Sequence, residues 1–120
     1  MSEPRINIPD RIKAGEAFRI KTLISHPMHS GRLKDADGKS IPRLILNRFE
    51  CSFGAETVFA CDLEPAMAQN PFIEFTAKLP GPGELSFLWI EDGGRRCIFR
   101  VRTIFPDHMF RLSIAATDLA

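Results

Sequence analysis

The sequence predicts an all-β fold, an immunoglobulin-like antiparallel β-sandwich of about seven strands. Short segments alternate apolar and polar residues with a period of two, which is typical of strands with one buried face. Nine prolines and eight glycines also interrupt the 120 residues at short intervals. No segment keeps a helical period for longer than about a dozen residues. A chain of this length supports one hydrophobic core, because folding buries roughly two-thirds of its unfolded surface.

The alternation defines four strands in the first half of the chain. In each of them, apolar side chains at every second position face the core and the intervening ones face solvent. A tight turn at Gly54 joins the third and fourth strands into a predicted hairpin. The four segments are Ile6–Ile8, Ala17–Ile24, Leu44–Phe53 and Thr57–Leu63.

Three more strands are predicted in the second half. Leu85–Ile90 is nearly all apolar, which is typical of a central strand covered on both faces, and Asp92-Gly93-Gly94 supplies a hairpin turn after it. The other two segments, Pro71–Leu79 and Arg95–Phe105, alternate. We therefore assign residues 1–106 to the sandwich domain. Residues 107–120 form a C-terminal tail that suits either a helical turn or a docking strand.

Cys51, Cys61 and Cys97 all fall on apolar faces of predicted strands. Reactive cysteines need an exposed, electropositive setting, so we interpret these three as buried thiols. Trp89 follows the first two cysteines instead of lying between a pair, and the chain has no tyrosine, which excludes an antibody-type domain. No nucleophile elbow, phosphate loop or Cys–His signature is present. The sequence therefore predicts no catalytic residue and no cofactor.

The charge balance excludes a strongly basic nucleic-acid-binding protein. Sixteen basic residues against fifteen acidic ones give a formal net charge of +1. Arg96, Arg100 and Arg102 share one strand face, but Phe99 points the other way, so bases could not stack beside them. We interpret these arginines as a solvated or partner-facing rim. No apolar run approaches the roughly 18 residues of a membrane span, so we expect no membrane contact.

One segment, Ser25–Pro42, breaks the strand rhythm. Connections longer than about 12–15 residues are often functional. Its His26, Met28 and His29 are of the types that bind copper or zinc. No further ligand follows at a motif spacing, so we favour a packed loop without metal.

The same loop contains an Asp-rich turn. Asp35-Ala36-Asp37-Gly38 is similar to the start of a calcium loop but lacks the later ligands. We favour a turn capped by aspartate, with Gly38 at positive φ.

Several motifs in this loop and beyond it resemble the SoxZ family, the small subunit of the SoxYZ sulfur carrier. The resemblance extends over about residues 5–104 and leaves out the tail. The motifs are Ser25-His26-Pro27-Met28 followed by Gly31, Lys34-Asp35-Ala36-Asp37-Gly38-Lys39 with Ile41-Pro42, Asn70-Pro71-Phe72, and Trp89-Ile90-Glu91-Asp92.

The resemblance implies a non-catalytic subunit that forms a heterodimer with a SoxY-like subunit. That subunit carries thiosulfate-derived sulfur on a cysteine in a glycine-rich C-terminal arm, and other sulfur-oxidation enzymes contact the carrier transiently. The present chain has no Gly-Gly-Cys-Gly-Gly arm. We predict that the heterodimer interface lies on the apolar surface around the long loop, especially at Met28, with the 70–72 corner as a second candidate. The predicted partner-binding residues are His26, Pro27, Met28, Asn70, Pro71 and Phe72.

The residues at the N-terminus, Met1–Ile6, have no apolar stretch of the secretory type. The resemblance implies a periplasmic protein exported together with a signal-bearing partner, and it leaves self-association without that partner open. The alternative is a stand-alone immunoglobulin-like module that binds a metal, a redox group or another ligand through His26, Met28 and His29.

Overall fold

Eight strands in two antiparallel sheets make up the computed structural model, which describes residues 4–9, 12, 14–64, 69–103 and 113–119. The predicted all-β sandwich is confirmed. Within the described ranges, no helix has the length and apolarity needed to span a membrane. In chain order the strands are β1 (Arg5–Asn7), β2 (Phe18–Leu23), β3 (Leu46–Phe53), β4 (Glu56–Asp62), β5 (Phe72–Ala77), β6 (Gly83–Glu91), β7 (Arg96–Thr103) and β8 (Ser113–Leu119).

The smaller sheet has the order β1-β2-β5. Buried and exposed residues alternate along the whole of β2 and β5, as the sequence predicts. Arg5 lies opposite Leu23, and Leu23 in turn lies opposite Phe72. These three residues therefore form one row across the outward face of the sheet.

The larger sheet has the order β4-β3-β6-β7-β8. The predicted β3–β4 hairpin is confirmed, with Gly54 in its turn at a φ of 59°. At Gly83 a Cβ would collide with the ring of Phe53, so a larger residue there would require that ring to move.

Strand β6 lies in the middle of the larger sheet, between β3 and β7. Leu85, Phe87 and Trp89 are fully buried, whereas Leu88 and Ile90 on the other face are only half-buried. The expectation that this strand is covered on both faces is therefore wrong. A two-layer sandwich covers each sheet on one face, and the outer face stays accessible.

Aromatic side chains from both sheets pack together within the core. The rings of Phe59 on β4 and Phe75 on β5 stack with centroids 4.5 Å apart and planes at 9°. Phe49 on β3 packs against Trp89 at 5.1 Å and against Phe75 at 5.9 Å. The indole N–H of Trp89 is buried with no hydrogen-bond partner among the described residues, a cost of about 1–3 kcal/mol. The two sheets are thus joined by a tightly packed aromatic cluster.

The three cysteines lie within strands as thiols. Cys51 and Cys97 are buried, as predicted, whereas Cys61 on the edge strand β4 is half-buried. Burial raises the pKa of the Cys51 thiol to about 12. The pKa of Cys61 is also raised, mainly by burial. Both thiols are therefore protonated and weakly nucleophilic at neutral pH.

The end of the chain adds a strand to the larger sheet. Ser113–Leu119, within the predicted tail, pairs antiparallel with β7. This agrees with the strand alternative for that segment. Phe105, predicted to end the seventh strand, lies outside the described residues, and β7 ends at Thr103.

Candidate partner-binding site

The long loop follows the predicted path outside the two sheets between β2 and β3. Its Asp-rich turn is closed by Asp35, whose Oδ1 accepts hydrogen bonds from the backbone N–H groups of Asp37 at 2.9 Å and Lys39 at 3.0 Å. Gly38 has a φ of 79°. The predicted aspartate-capped turn is confirmed, and this carboxylate oxygen is engaged by backbone donors.

His26 makes four short hydrogen bonds where the loop leaves β2. Its backbone N–H donates to Asn70 Oδ1 at 2.9 Å, and the Asn70 backbone N–H donates back to the His26 carbonyl at 2.7 Å. On the ring, Nε2 lies 2.8 Å from Glu91 Oε2, and Nδ1 accepts from the Met28 N–H at 2.9 Å. We call His26, Met28, Asn70 and Glu91 the His26 cluster. It connects the loop to β5 and to the end of β6.

The hydrogen bonds fix the tautomer of the His26 ring. Because the Met28 N–H needs an acceptor, Nδ1 carries no proton, and the ring proton is on Nε2. The imidazole therefore donates from Nε2 to the Glu91 carboxylate. Both side chains are buried, with 1% and 9% of their surface exposed, so this hydrogen bond satisfies polar groups that are costly to bury without a partner. Both ring nitrogens are thus occupied by the protein.

Met28 is part of the core. It is only 5% exposed, and its Sδ accepts a hydrogen bond from the Leu46 N–H at 3.3 Å. Met28, predicted as a partner-binding residue, is therefore buried in the core, and its contact with a partner stays a prediction. Met28 has a positive φ of 51°, and its side chain belongs to the core cluster.

Asp92 holds the other end of the loop. Its carboxylate accepts hydrogen bonds from Arg43 at 2.9 and 3.3 Å, from the Ile45 N–H at 3.1 Å and from Asn47 Nδ2 at 3.1 Å. The pKa of Asp92 is lowered, chiefly by the hydrogen bond from the Arg43 guanidinium. The two acidic residues after Trp89 therefore both anchor the loop.

The predicted partner-binding residues divide into two groups. His26, Met28 and Pro71 are buried, whereas Pro27, Asn70 and Phe72 are exposed. The Phe72 side chain is 54% exposed, a large fraction for an aromatic residue in a strand. The contact with a partner stays a prediction, and only the exposed group is placed to make it.

Beside Phe72 lies a groove that the sequence did not reveal. Leu23, exposed at 38%, is its other accessible apolar side chain. The groove has a volume of about 360 Å³. A leucine between outward-facing polar positions of β2 was the available signal, but its pairing with Phe72 depends on strand register. The residues that line this β1–β2–β5 groove are Arg5, Ile6, Asn7, Ile8, Lys21, Thr22, Leu23 and Phe72.

The predicted arginine rim lies on the opposite side of the sandwich. Arg96, Arg100 and Arg102 are exposed along β7, while Phe99 is buried beneath them. The aromatic residue therefore points away from the arginines, as the sequence indicates. In the described part of the chain, no group of three or more His, Cys, Asp or Glu side chains is arranged to hold a metal ion.

Comparison with known proteins agrees with the motifs. The family model for the sulphur oxidation protein SoxZ matches residues 6–98. This chain belongs to the SoxZ family of sulphur oxidation proteins. Three SoxZ motifs that are distant in sequence meet in the His26 cluster, because His26, Asn70 and Glu91 each come from a different one.

The solved structures similar to this SoxZ chain share its fold. Superoxide reductase (neelaredoxin) from Ignicoccus hospitalis is 20% identical, with a TM-score of 0.56 over 98% of this chain and 79% of that one. Two variants of that reductase match at the same identity, with TM-scores of 0.55 and 0.54 over 97% of this chain and 77% of theirs. At this identity the likeness concerns the fold alone. No curated protein matches the chain.

Proposed function

We propose that this chain is the non-catalytic scaffold subunit of a periplasmic sulfur carrier. It pairs with a SoxY-like subunit whose C-terminal cysteine arm carries thiosulfate-derived sulfur between oxidation enzymes. Those enzymes contact the pair transiently, and the chain is exported together with its signal-bearing partner. Membership of the SoxZ family supports this proposal.

The observation that carries the proposal is the exposed Phe72 next to the His26 cluster, which is buried except for Asn70. The cluster holds the 25–29 segment against β5 through paired hydrogen bonds between His26 and Asn70. Phe72 follows Asn70 by two residues and points outward. A rigid, solvent-exposed aromatic side chain is typical of the residues that dominate binding energy in protein interfaces.

The scaffold role agrees with the chemistry of the cysteines. A carrier arm must present one sulfur adduct to several enzymes, so competing thiols nearby would be a disadvantage. Cys51 is buried with a pKa of about 12, and Cys61 has a raised pKa at the far edge strand β4. A thiol with a raised pKa contributes little thiolate, the form that attacks sulfur.

Both ring nitrogens of His26 and the sulfur of Met28 accept or donate hydrogen bonds within the protein. A metal bound at His26, Met28 and His29 would require these bonds to break and the loop to leave the core. This geometry favours the scaffold over the metal-binding module.

A test of the proposed function compares two added charges. We expect Phe72→Asp to weaken the complex with the SoxY-like subunit by about 30-fold or more, because interface aromatics are often worth about 2 kcal/mol or more. Thr57→Asp, which adds the same charge at an exposed position of β4, is the matched control and should leave the affinity unchanged. Gel filtration of the co-expressed pair and calorimetric titration measure both. A complex that is as tight with Phe72→Asp as with the wild type would contradict the proposed interface, and a wild-type chain that stays monomeric beside the partner would contradict the function.

A further inference from the structure

The outward face of the smaller sheet has an excess of positive charge. Arg5, Arg19 and Lys21 project from it, together with Glu74. Glu74 is held by Arg19 at 3.0 Å, even though Lys21 is its direct cross-strand neighbour. Among the described residues, neither Arg5 nor Lys21 has a carboxylate within ion-pair distance. Two cations without a carboxylate partner in the described chain thus border the β1–β2–β5 groove.

The same groove contains two of the largest exposed apolar side chains of the described chain. Phe72 is 54% exposed and Leu23 is 38% exposed, and they are direct neighbours across the β2–β5 ladder. Arg5 is the next residue in the same row. The groove lining includes no acidic residue. Apolar side chains and a cationic side chain that could contact a partner are therefore direct neighbours in this row.

The other exposed large apolar residues of the described chain lie on the long loop instead of on a strand. Leu33 lies on the long loop beside the Asp-rich turn, and Leu44 lies where the loop returns to the sheet. On the larger sheet, the exposed arginines of β7 border side chains that are only half-exposed, such as Ile98. Within the described part of the chain, the β1–β2–β5 groove is thus a place where exposed apolar area and unpaired positive charge lie together on neighbouring strands.

We propose that this groove binds an acidic segment of the partner subunit that also carries an apolar side chain. The apolar side chain packs on Leu23 and Phe72, and the flanking carboxylates pair with Arg5 and Lys21. The inference rests on the proposed function and adds the chemistry of the partner surface. Charge complementarity of this kind mainly accelerates association and makes it sensitive to salt.

Charge reversal tests the inference on the intact chain. We expect Arg5→Glu/Lys21→Glu to weaken binding of the SoxY-like subunit by about tenfold or more at roughly 50 mM salt, mostly through slower association. The difference from wild type should shrink at about 500 mM salt, because exposed charges are then screened. Arg96→Glu/Arg102→Glu makes the same charge change on the opposite face and serves as the matched control. Surface plasmon resonance gives the rates, and thermal unfolding verifies that each variant is folded.

A zero-length carbodiimide crosslink gives a second readout. It joins a lysine amine to a carboxylate that is in contact with it, so Lys21 should be linked to an Asp or Glu of the partner. Lys21→Arg keeps the positive charge and should retain binding while this crosslink disappears from the peptide map.

The outcomes separate the two proposals. If Arg5→Glu/Lys21→Glu bound the partner as tightly as wild type, and no crosslink formed at Lys21, the acidic-segment inference would be overturned. The proposed function would still stand, because wild type binds the partner. Equal weakening by the control pair would also overturn it, since the effect would then be one of net charge. Absence of any complex with wild type would overturn both.

Discussion

The His26 cluster and the β1–β2–β5 groove lie next to each other but differ in burial and in how their polar groups are paired. The cluster is buried except for Asn70, and its polar atoms bond to one another. The groove is open, with apolar side chains and cations that have no partner in the described chain. Family motifs supply residues to both, since Asn70 belongs to the cluster and Phe72 to the groove. A motif therefore marks a structural neighbourhood, within which some residues set the shape and others remain available for contact.

The largest effect should come from placing a charge in the buried region. We expect Met28→Asp to lower the free energy of unfolding by about 4 kcal/mol or more, because the carboxylate would have to be buried without a partner. Phe72→Asp should change it by less than about 0.5 kcal/mol, since that position is exposed. Urea denaturation followed by tryptophan fluorescence of Trp89 measures both.

Met28→Leu is the control for this comparison. It conserves volume and apolarity, and we expect a loss below about 1.5 kcal/mol. If Met28→Asp were as stable as wild type and instead lost partner binding, the division between buried cluster and exposed groove would be wrong.

The next effect concerns the hydrogen bonds of His26. We expect His26→Ala to destabilise the fold by about 2–4 kcal/mol, because the Glu91 carboxylate and the Met28 N–H would both lose their partners inside the protein. Glu91→Gln should cost only about 1 kcal/mol, since the amide oxygen still accepts from Nε2. Chemical denaturation gives the free energy of unfolding of both variants. If both lost the same amount, the hydrogen bonds described for the Glu91 carboxylate would be wrong.

The smallest effect should appear at acid pH. The pKa of Asp92 is lowered below its ordinary 3.8, so its contribution to stability is fully present above that pH. As the pH falls through the lower folded-state pKa, the carboxylate is protonated and the contribution is lost. Asp92→Asn should therefore be less stable than wild type at neutral pH, and the gap should narrow in the acid range. Unfolding curves at several pH values measure this gap, and a constant gap would contradict the role given to Arg43.

Much of the fold follows from local pattern. Strict alternation in β2 and β5 identifies the buried and exposed positions, and the glycine turn after β3 identifies a hairpin. The half-exposed outer face of β6 could not be predicted from the sequence. An apolar strand has the same sequence pattern whether one or both of its faces are covered. The burial of Met28 could not be predicted either. Whether an apolar loop residue is buried depends on where the loop lies relative to the sheets, and the loop sequence does not give that position.

The candidate site was recoverable in part. The resemblance located Phe72, but the row formed by Arg5, Leu23 and Phe72 joins residues that are distant in sequence. Their proximity depends on the register of three strands, which alternation alone does not specify. The contact between His26 and Glu91 likewise joins residues that are 65 positions apart in sequence.

Hydrogen exchange of the full chain with and without the SoxY-like subunit tests the central claim most directly. The claim is that the partner covers the β1–β2–β5 groove while the His26 cluster stays structural. We predict that partner binding slows exchange in β1, β2 and the start of β5, and that the backbone amides of the His26 cluster are already protected in the unbound chain. New protection confined to β7, with none in β1, β2 or β5, would contradict the claim.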